Sequence, residues 1–167
     1  MYKVEYKKIT YPDPSPRAKR EYEHLLCYEL LYKMLKEHFG IKDAEILLTD
    51  NGKPYVDIEG VHFSLTHTEG LVACVVCDSP VGIDAERALD NREENHQKLA
   101  KRFFTPKEIA FFETSRNDKL AFYKVWCGKE ACIKQQGGTM ALLKKIDTTE
   151  EKLEYIFHDD YIICIKI

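Results

Sequence analysis

The chain has 167 residues, 44% of them hydrophobic and 32% charged, enough apolar material for one globular core and too much for a disordered tail. A formal net charge of −3 and a pI near 6.1 leave no basic surplus to neutralise many phosphates at once, which disfavours a general nucleic-acid binder. No run approaches the roughly 18 uninterrupted apolar residues of a membrane span, and Met1 to Arg20 is too polar for a signal peptide. A cytoplasmic, monomeric protein that binds neither membrane nor nucleic acid is therefore expected.

From Pro16 to Phe39 the apolar residues Cys27, Leu31, Met34 and Leu35 recur at helical spacing, and Gly40 follows as a C-terminal cap, which predicts a long first helix. Short β-prone runs come next: Ile46 to Thr49, Tyr55 to Ile58, Val61 to Thr66, Leu71 to Cys77 and Val81 to Glu86. Asn51-Gly52, Glu59-Gly60, Glu69-Gly70 and Ser79-Pro80 separate them, the punctuation of antiparallel strands. Helices are expected over Glu93 to Phe103, Pro106 to Glu113 and Lys119 to Gln136, the last stopped by Gly137-Gly138. Leu153 to Phe157 and Tyr161 to Ile167 read as strands again. This order predicts an α+β fold. The repetition of helix with sheet predicts two similar lobes, residues 1–86 and 87–167, joined near Arg87 to Asn91, each a small antiparallel sheet packed with a long helix.

The cysteines, Cys27, Cys74, Cys77, Cys127, Cys132 and Cys164, mostly sit inside apolar runs and read as reduced core residues. Cys74 and Cys77 form a C-x-x-C, but it lies in a strand-like run, and no second pair or His couple has zinc spacing.

In Val81-Gly82-Ile83-Asp84-Ala85-Glu86 a strand ends with two carboxylates two residues apart, which the strand period aims at one side. Like charges so placed repel unless a cation joins them, and a hard divalent ion such as Mg²⁺ suits one or two carboxylates with phosphate and water. A solvated strand end is the plainer alternative. The last long helix carries Trp126-Cys127-Gly128-Lys129-Glu130-Ala131-Cys132-Ile133-Lys134. Phe122, Val125, Trp126 and Ile133 suggest its buried stripe, which places Lys129 and Glu130 beside the stripe. Glu130 and Lys134, one turn apart, also read as an ordinary surface ion pair. Thr105-Pro106-Lys107-Glu108 has the form of a capping box, which accounts for Glu108 without a catalytic role.

Taken in order, Gly52-Lys53-Pro54, Phe63-Ser64-Leu65-Thr66-His67-Thr68, Val81-Gly82-Ile83-Asp84-Ala85-Glu86, Arg102-Phe103-Phe104-Thr105-Pro106-Lys107-Glu108 and Trp126-x-x-Lys129-Glu130-Ala131-x-x-Lys134 resemble the surfactin-type 4′-phosphopantetheinyl transferases over about Gly52 to Gly138. The long segment before Gly82-Ile83-Asp84 resembles the larger, pseudo-dimeric class rather than the short trimeric synthases.

The resemblance implies transfer of the phosphopantetheine arm of coenzyme A to a serine of an apo acyl or peptidyl carrier protein, with release of 3′,5′-ADP. It implies Mg²⁺, or Mn²⁺, on Asp84, Glu86 and Glu130 against the coenzyme A pyrophosphate. Glu130 would be the base, directly or through water, and Lys134 would contact the pyrophosphate or the catalytic oxygen. Lys53 and His67 would contact the adenosine end with its 3′-phosphate, and Thr66 a neighbouring oxygen. The coenzyme A nucleotide contacts fall to the first lobe, the metal and carrier contacts to the second. Taken alone, Lys53 also fits a plain hairpin turn and His67 a structural histidine. The chain departs from the family's Asn-Ile-Ser-His-Ser at Ser64 to Thr68, and Ala85 replaces a branched residue between the acids. The family's first-helix arginine has candidates in Arg17, Arg20 and His24. Two other readings remain at this point, a Mg²⁺-dependent phosphohydrolase or nuclease and a non-catalytic module that binds carrier proteins.

Overall fold

The computed structural model describes residues 1–88, 93–115 and 120–167. In chain order it contains β1 (Tyr2–Lys8), α1 (Pro16–Phe39), β2 (Leu47–Leu48), β3 (Pro54–Tyr55), β4 (His62–Thr68), β5 (Leu71–Cys77) and β6 (Gly82–Arg87). Then come α2 (Glu93–Phe103), α3 (Pro106–Thr114), α4 (Ala121–Gln136), a 3₁₀ turn at Met140–Leu142, β7 (Leu153–His158) and β8 (Tyr161–Lys166). Among the described residues no helix is long and apolar enough to cross a membrane.

Two three-stranded antiparallel sheets carry the architecture, one ordered β1-β5-β4 and the other β6-β8-β7. They pack face to face through alternate residues. Leu71, Ala73, Val75 and Cys77 of β5 meet Val81, Ile83 and Ala85 along β6 and Tyr161, Ile163 and Ile165 of β8. The opposite face of β5, with Cys74 and Val76, receives Leu31, Met34 and Leu35 of α1. Ile162 and Cys164 of β8 likewise receive Val125, Cys127 and Ala131 of α4. The layers thus run helix, sheet, sheet, helix. Burial on both faces explains why β5 is continuously apolar. Each Leu removed from water in this way contributes about 1.5–3 kcal/mol of transfer free energy.

The mixed α and β content agrees with expectation, and α1 and α2 keep their expected bounds. The strand β1 was not expected, although Tyr2, Val4 and Tyr6 alternate; it lies on the edge of its sheet, paired to β5 from Tyr2↔Cys77 to Lys8↔Leu71. The strands β2 and β3 shrink to two residues each. The expected division at residue 86 runs through β6, whose backbone partners lie in β8. Leu89 to Asn91 of the expected joint, and Lys119 of the expected last helix, lie outside the described residues. Cys74 and Cys77 face opposite sides of β5, and all six cysteines are free and buried.

Candidate active site

The site forms where the edge strands β4 and β6 approach under α4. Strand alternation sends Ile83 and Ala85 into the inter-sheet core and leaves Asp84 and Glu86 on the other side. Gly82 permits the close crossing of α4: a Cβ there would stand 1.9 Å from the Ala131 carbonyl oxygen. Glu130 and Lys134 flank that contact on the helix. Ser64 of β4 bridges the strands, its Oγ accepting the Ile83 N–H at 3.2 Å.

A cavity of about 430 Å³ is lined by Thr66, His67, Asp84, Glu86, Glu130 and Lys134. Six of the seven residues singled out from the sequence therefore surround one space. Lys134 Nζ donates to Asp84 Oδ1 at 2.8 Å and to Thr66 Oγ1 at 3.1 Å. Thr66 Oγ1 in turn donates to the same Asp84 oxygen at 3.2 Å. Asp84 Oδ2 is buried without a hydrogen-bond partner.

The electrostatics follow from crowding acids in a partly dry place. Burial, reinforced by the Asp84 charge, raises the Glu130 carboxyl from 4.5 to about 7, although Lys134 and the Trp126 indole pull it back. Burial would lower Lys134, but Asp84 and Glu130 outweigh that, and its ammonium is held above the ordinary value. The Cys127 thiol is pushed well up by burial and by Asp84 and Glu86. That keeps it protonated.

The three acids share the cavity without their oxygens all closing to within 4.8 Å of one another, whereas ligand atoms of Glu5, Glu37 and His38 lie that close together. In that second group Lys33 already lies 2.7 Å from Glu5 and 3.9 Å from Glu37. At the first, Lys134 occupies one Asp84 oxygen. The expected Glu130–Lys134 surface pair is corrected accordingly: the ammonium turns inward to Asp84.

Lys53 lies next door, in a cavity of about 230 Å³ that shares Leu65 and Lys134 with the first. Its Nζ donates to Gln135 O at 3.1 Å and Val81 O at 3.5 Å, and Asn51 Nδ2 donates to Gly137 O at 2.9 Å. The turn at 51–53 thus satisfies carbonyls left open at the end of α4. Burial lowers the Lys53 ammonium from its ordinary value. On α1, Arg17 is exposed and paired with Glu21, and Arg20 and His24 are exposed. From α1, Glu23 stands behind the cavity wall, its Oε2 3.1 Å from Nδ1 of the lining residue His67. Its signal was readable: Glu23 falls on the stripe of Leu26, Cys27 and Leu31.

Lys129 departs from expectation, whereas Glu108 keeps the expected capping box. Lys129 is fully buried, not beside the stripe, because Phe122, Val125, Lys129 and Cys132 share the inward face of α4. Its ammonium bonds Glu108 Oε2 at 2.7 Å, Leu143 O at 2.7 Å and Ile146 O at 2.5 Å. Glu108 completes its capping box with Thr105 and accepts two bonds from Thr148. Every polar atom of this pair is satisfied away from the cavity, so its work is structural.

A model of the 4′-phosphopantetheinyl transferase superfamily matches residues 80–161, the segment carrying β6 and α4. The chain is 34% identical over 127 residues to 4′-phosphopantetheinyl transferase gsp of Aneurinibacillus migulanus, covering 74% of this chain and 52% of that protein. It is 34% identical over 109 residues to a 4′-phosphopantetheinyl transferase of Bacillus subtilis, covering 62% and 47%. Against 4′-phosphopantetheinyl transferase Sfp of Bacillus subtilis strain 168 the identity is 28% over 142 residues, covering 78% and 62%. The chain thus spans about half to three-fifths of the length of these relatives.

Proposed function

The chain belongs to the 4′-phosphopantetheinyl transferase superfamily, and on that premise we propose that it moves the phosphopantetheine arm of coenzyme A onto a serine of an apo acyl or peptidyl carrier protein, releasing 3′,5′-ADP. The observation that carries this reading is the single cavity on which Asp84, Glu86, Glu130 and Lys134 converge.

The donor set fits a hard divalent cation. Asp84 Oδ2 is a buried carboxylate oxygen with no partner, and Glu86 and Glu130 line the same space. Mg²⁺, or Mn²⁺, held by these acids would neutralise the charge that builds on the bridging oxygen as the bond to 3′,5′-ADP breaks. Lys134 adds a fixed positive charge beside Asp84 that attracts the pyrophosphate. Glu130 takes the proton of the attacking serine, directly or through one water. Thr66 hydrogen-bonds a phosphate oxygen, and Lys53 and His67 hold the adenosine end with its 3′-phosphate across the two adjoining cavities.

We read the α1 half and the α4 half as two similar lobes, the first contributing nucleotide contacts and the second metal and carrier contacts. The equal make-up of the sheets supports this, with the division placed before β6. Free buried cysteines suit a reducing cytoplasm, where the protein acts as a monomer. The test is incubation with Mg²⁺, coenzyme A and a panel of apo carrier proteins. A carrier gaining the mass of one phosphopantetheine group supports the proposal. No gain on any carrier, with coenzyme A left intact, contradicts it.

A further inference from the structure

His67 sits at the mouth of the acid-lined cavity and gives its Nδ1 side to Glu23 Oε2 at 3.1 Å. Glu23 is only 9% exposed. Its other oxygen accepts the Tyr11 hydroxyl, and the Tyr11 oxygen itself accepts the Gly70 N–H at 2.8 Å. The segment after β1 thus holds this α1 carboxylate through Tyr11, and the β4–β5 turn braces Tyr11 in turn. An acid with both oxygens committed cannot swing away from its imidazole. Such a partner fixes the orientation of the ring, with Nδ1 donating to the carboxylate. The Nδ1 hydrogen goes to Glu23, and Nε2, on the far side of the ring, is left for whatever enters the cavity.

Resting on the function argued above, we propose that Glu23 is a positioning residue that makes His67 a dedicated anchor for the terminal phosphomonoester of the nucleotide, and so sets the discrimination between coenzyme A and its dephospho form. With an anion on each side, the imidazole donates one N–H to each, and both bonds are charge-assisted. Glu23 gives the chain a route to phosphate recognition from α1 that uses a carboxylate behind a histidine in place of a cation on the helix itself. Its effect is selective by construction, because a nucleotide lacking the phosphomonoester gives Nε2 nothing to hold.

The experiment is calorimetric titration of coenzyme A and dephospho-coenzyme A, with Mg²⁺ present, into wild type, Glu23→Gln, His67→Asn and the double variant. Glu23→Gln is expected to weaken coenzyme A about tenfold and dephospho-coenzyme A less than about twofold, the loss of one charge-assisted bond. The double variant should bind no worse than His67→Asn alone, because Glu23 acts only through His67. Tyr11→Phe, which frees one Glu23 oxygen without touching the carboxylate, should give a smaller loss confined to coenzyme A and covers the case in which Glu23→Gln does not fold. Equal weakening of both nucleotides, no weakening of either, or additive losses in the double variant would overturn the inference. Wild type binding neither nucleotide would overturn the functional reading and this inference with it.

Discussion

Lys134 and Asp84, separated by 50 residues of chain, meet in a 2.8 Å hydrogen bond between ammonium and carboxylate. This contact pins the C-terminal part of α4 to the middle of β6 and aligns Glu130 over the same cavity. Asp84 is only 4% exposed. Removing its partner therefore leaves a buried charge uncompensated. Lys134→Ala is expected to cost about 2 kcal/mol of stability in chelator, and Mg²⁺ should restore part of it, read as the shift in unfolding midpoint with and without the ion. An unchanged midpoint would show that the pair does not hold the helix.

Glu130 gives a pH signature in the absence of metal. Its folded value, about 7, lies above the ordinary 4.5, so between those values the folded state holds the proton that the unfolded chain has lost. The proton therefore favours folding, and stability falls as pH rises from about 4.5 through about 7. In chelator, Glu130→Gln should match wild type near pH 4 and exceed it by about 3 kcal/mol near pH 8. A constant offset at both pH values would refute the crowding of Glu130 by burial and Asp84.

The pair of Lys129 and Glu108 lies 0% exposed on both sides, so truncating one partner strands the other. Lys129→Met should lower stability by about 3–5 kcal/mol, whereas replacing both with apolar residues of similar volume should recover most of that loss. Denaturant midpoints of the two single variants and the double variant decide it. Additive losses would contradict the description of a mutually satisfied pair.

At Gly82 the limit is space. An added Cβ meets Ala131 O at 1.9 Å and Gln135 N at 2.5 Å, both backbone atoms. Gly82→Ala must therefore displace α4, at an expected cost of about 3 kcal/mol. Coenzyme A binding should weaken with it, because Glu130 and Lys134 ride on the same helix. Native stability and binding in this variant would mean that α4 yields without penalty.

Much of this was legible in the chain itself where a local rule acts alone. Gly40 ends α1 with a left-handed φ of 70°, as a helix followed by glycine implies. The two-residue step from Asp84 to Glu86 correctly gave one side of a strand. What was not legible depends on partners far away in sequence. The expected helix stripe put Lys129 at its margin because lysine is ordinarily solvated, and only Glu108 with the Leu143 and Ile146 carbonyls makes its burial tolerable. His67 read as an isolated histidine because Glu23 sits 44 residues earlier by their numbers, on a helix face whose neighbours are apolar. The strand β1 escaped notice because its lysines, which suit an edge, dilute the alternation of Tyr2, Val4 and Tyr6.

The central claim is that Asp84, Glu86 and Glu130 grip one divalent ion together with the coenzyme A diphosphate. Titrating Mn²⁺ into the protein with coenzyme A present, and following the free ion by its paramagnetic signal, tests it directly. The account predicts one tightly held ion per chain that is lost in both Asp84→Asn and Glu130→Gln. Equal Mn²⁺ uptake by wild type and both variants would contradict it.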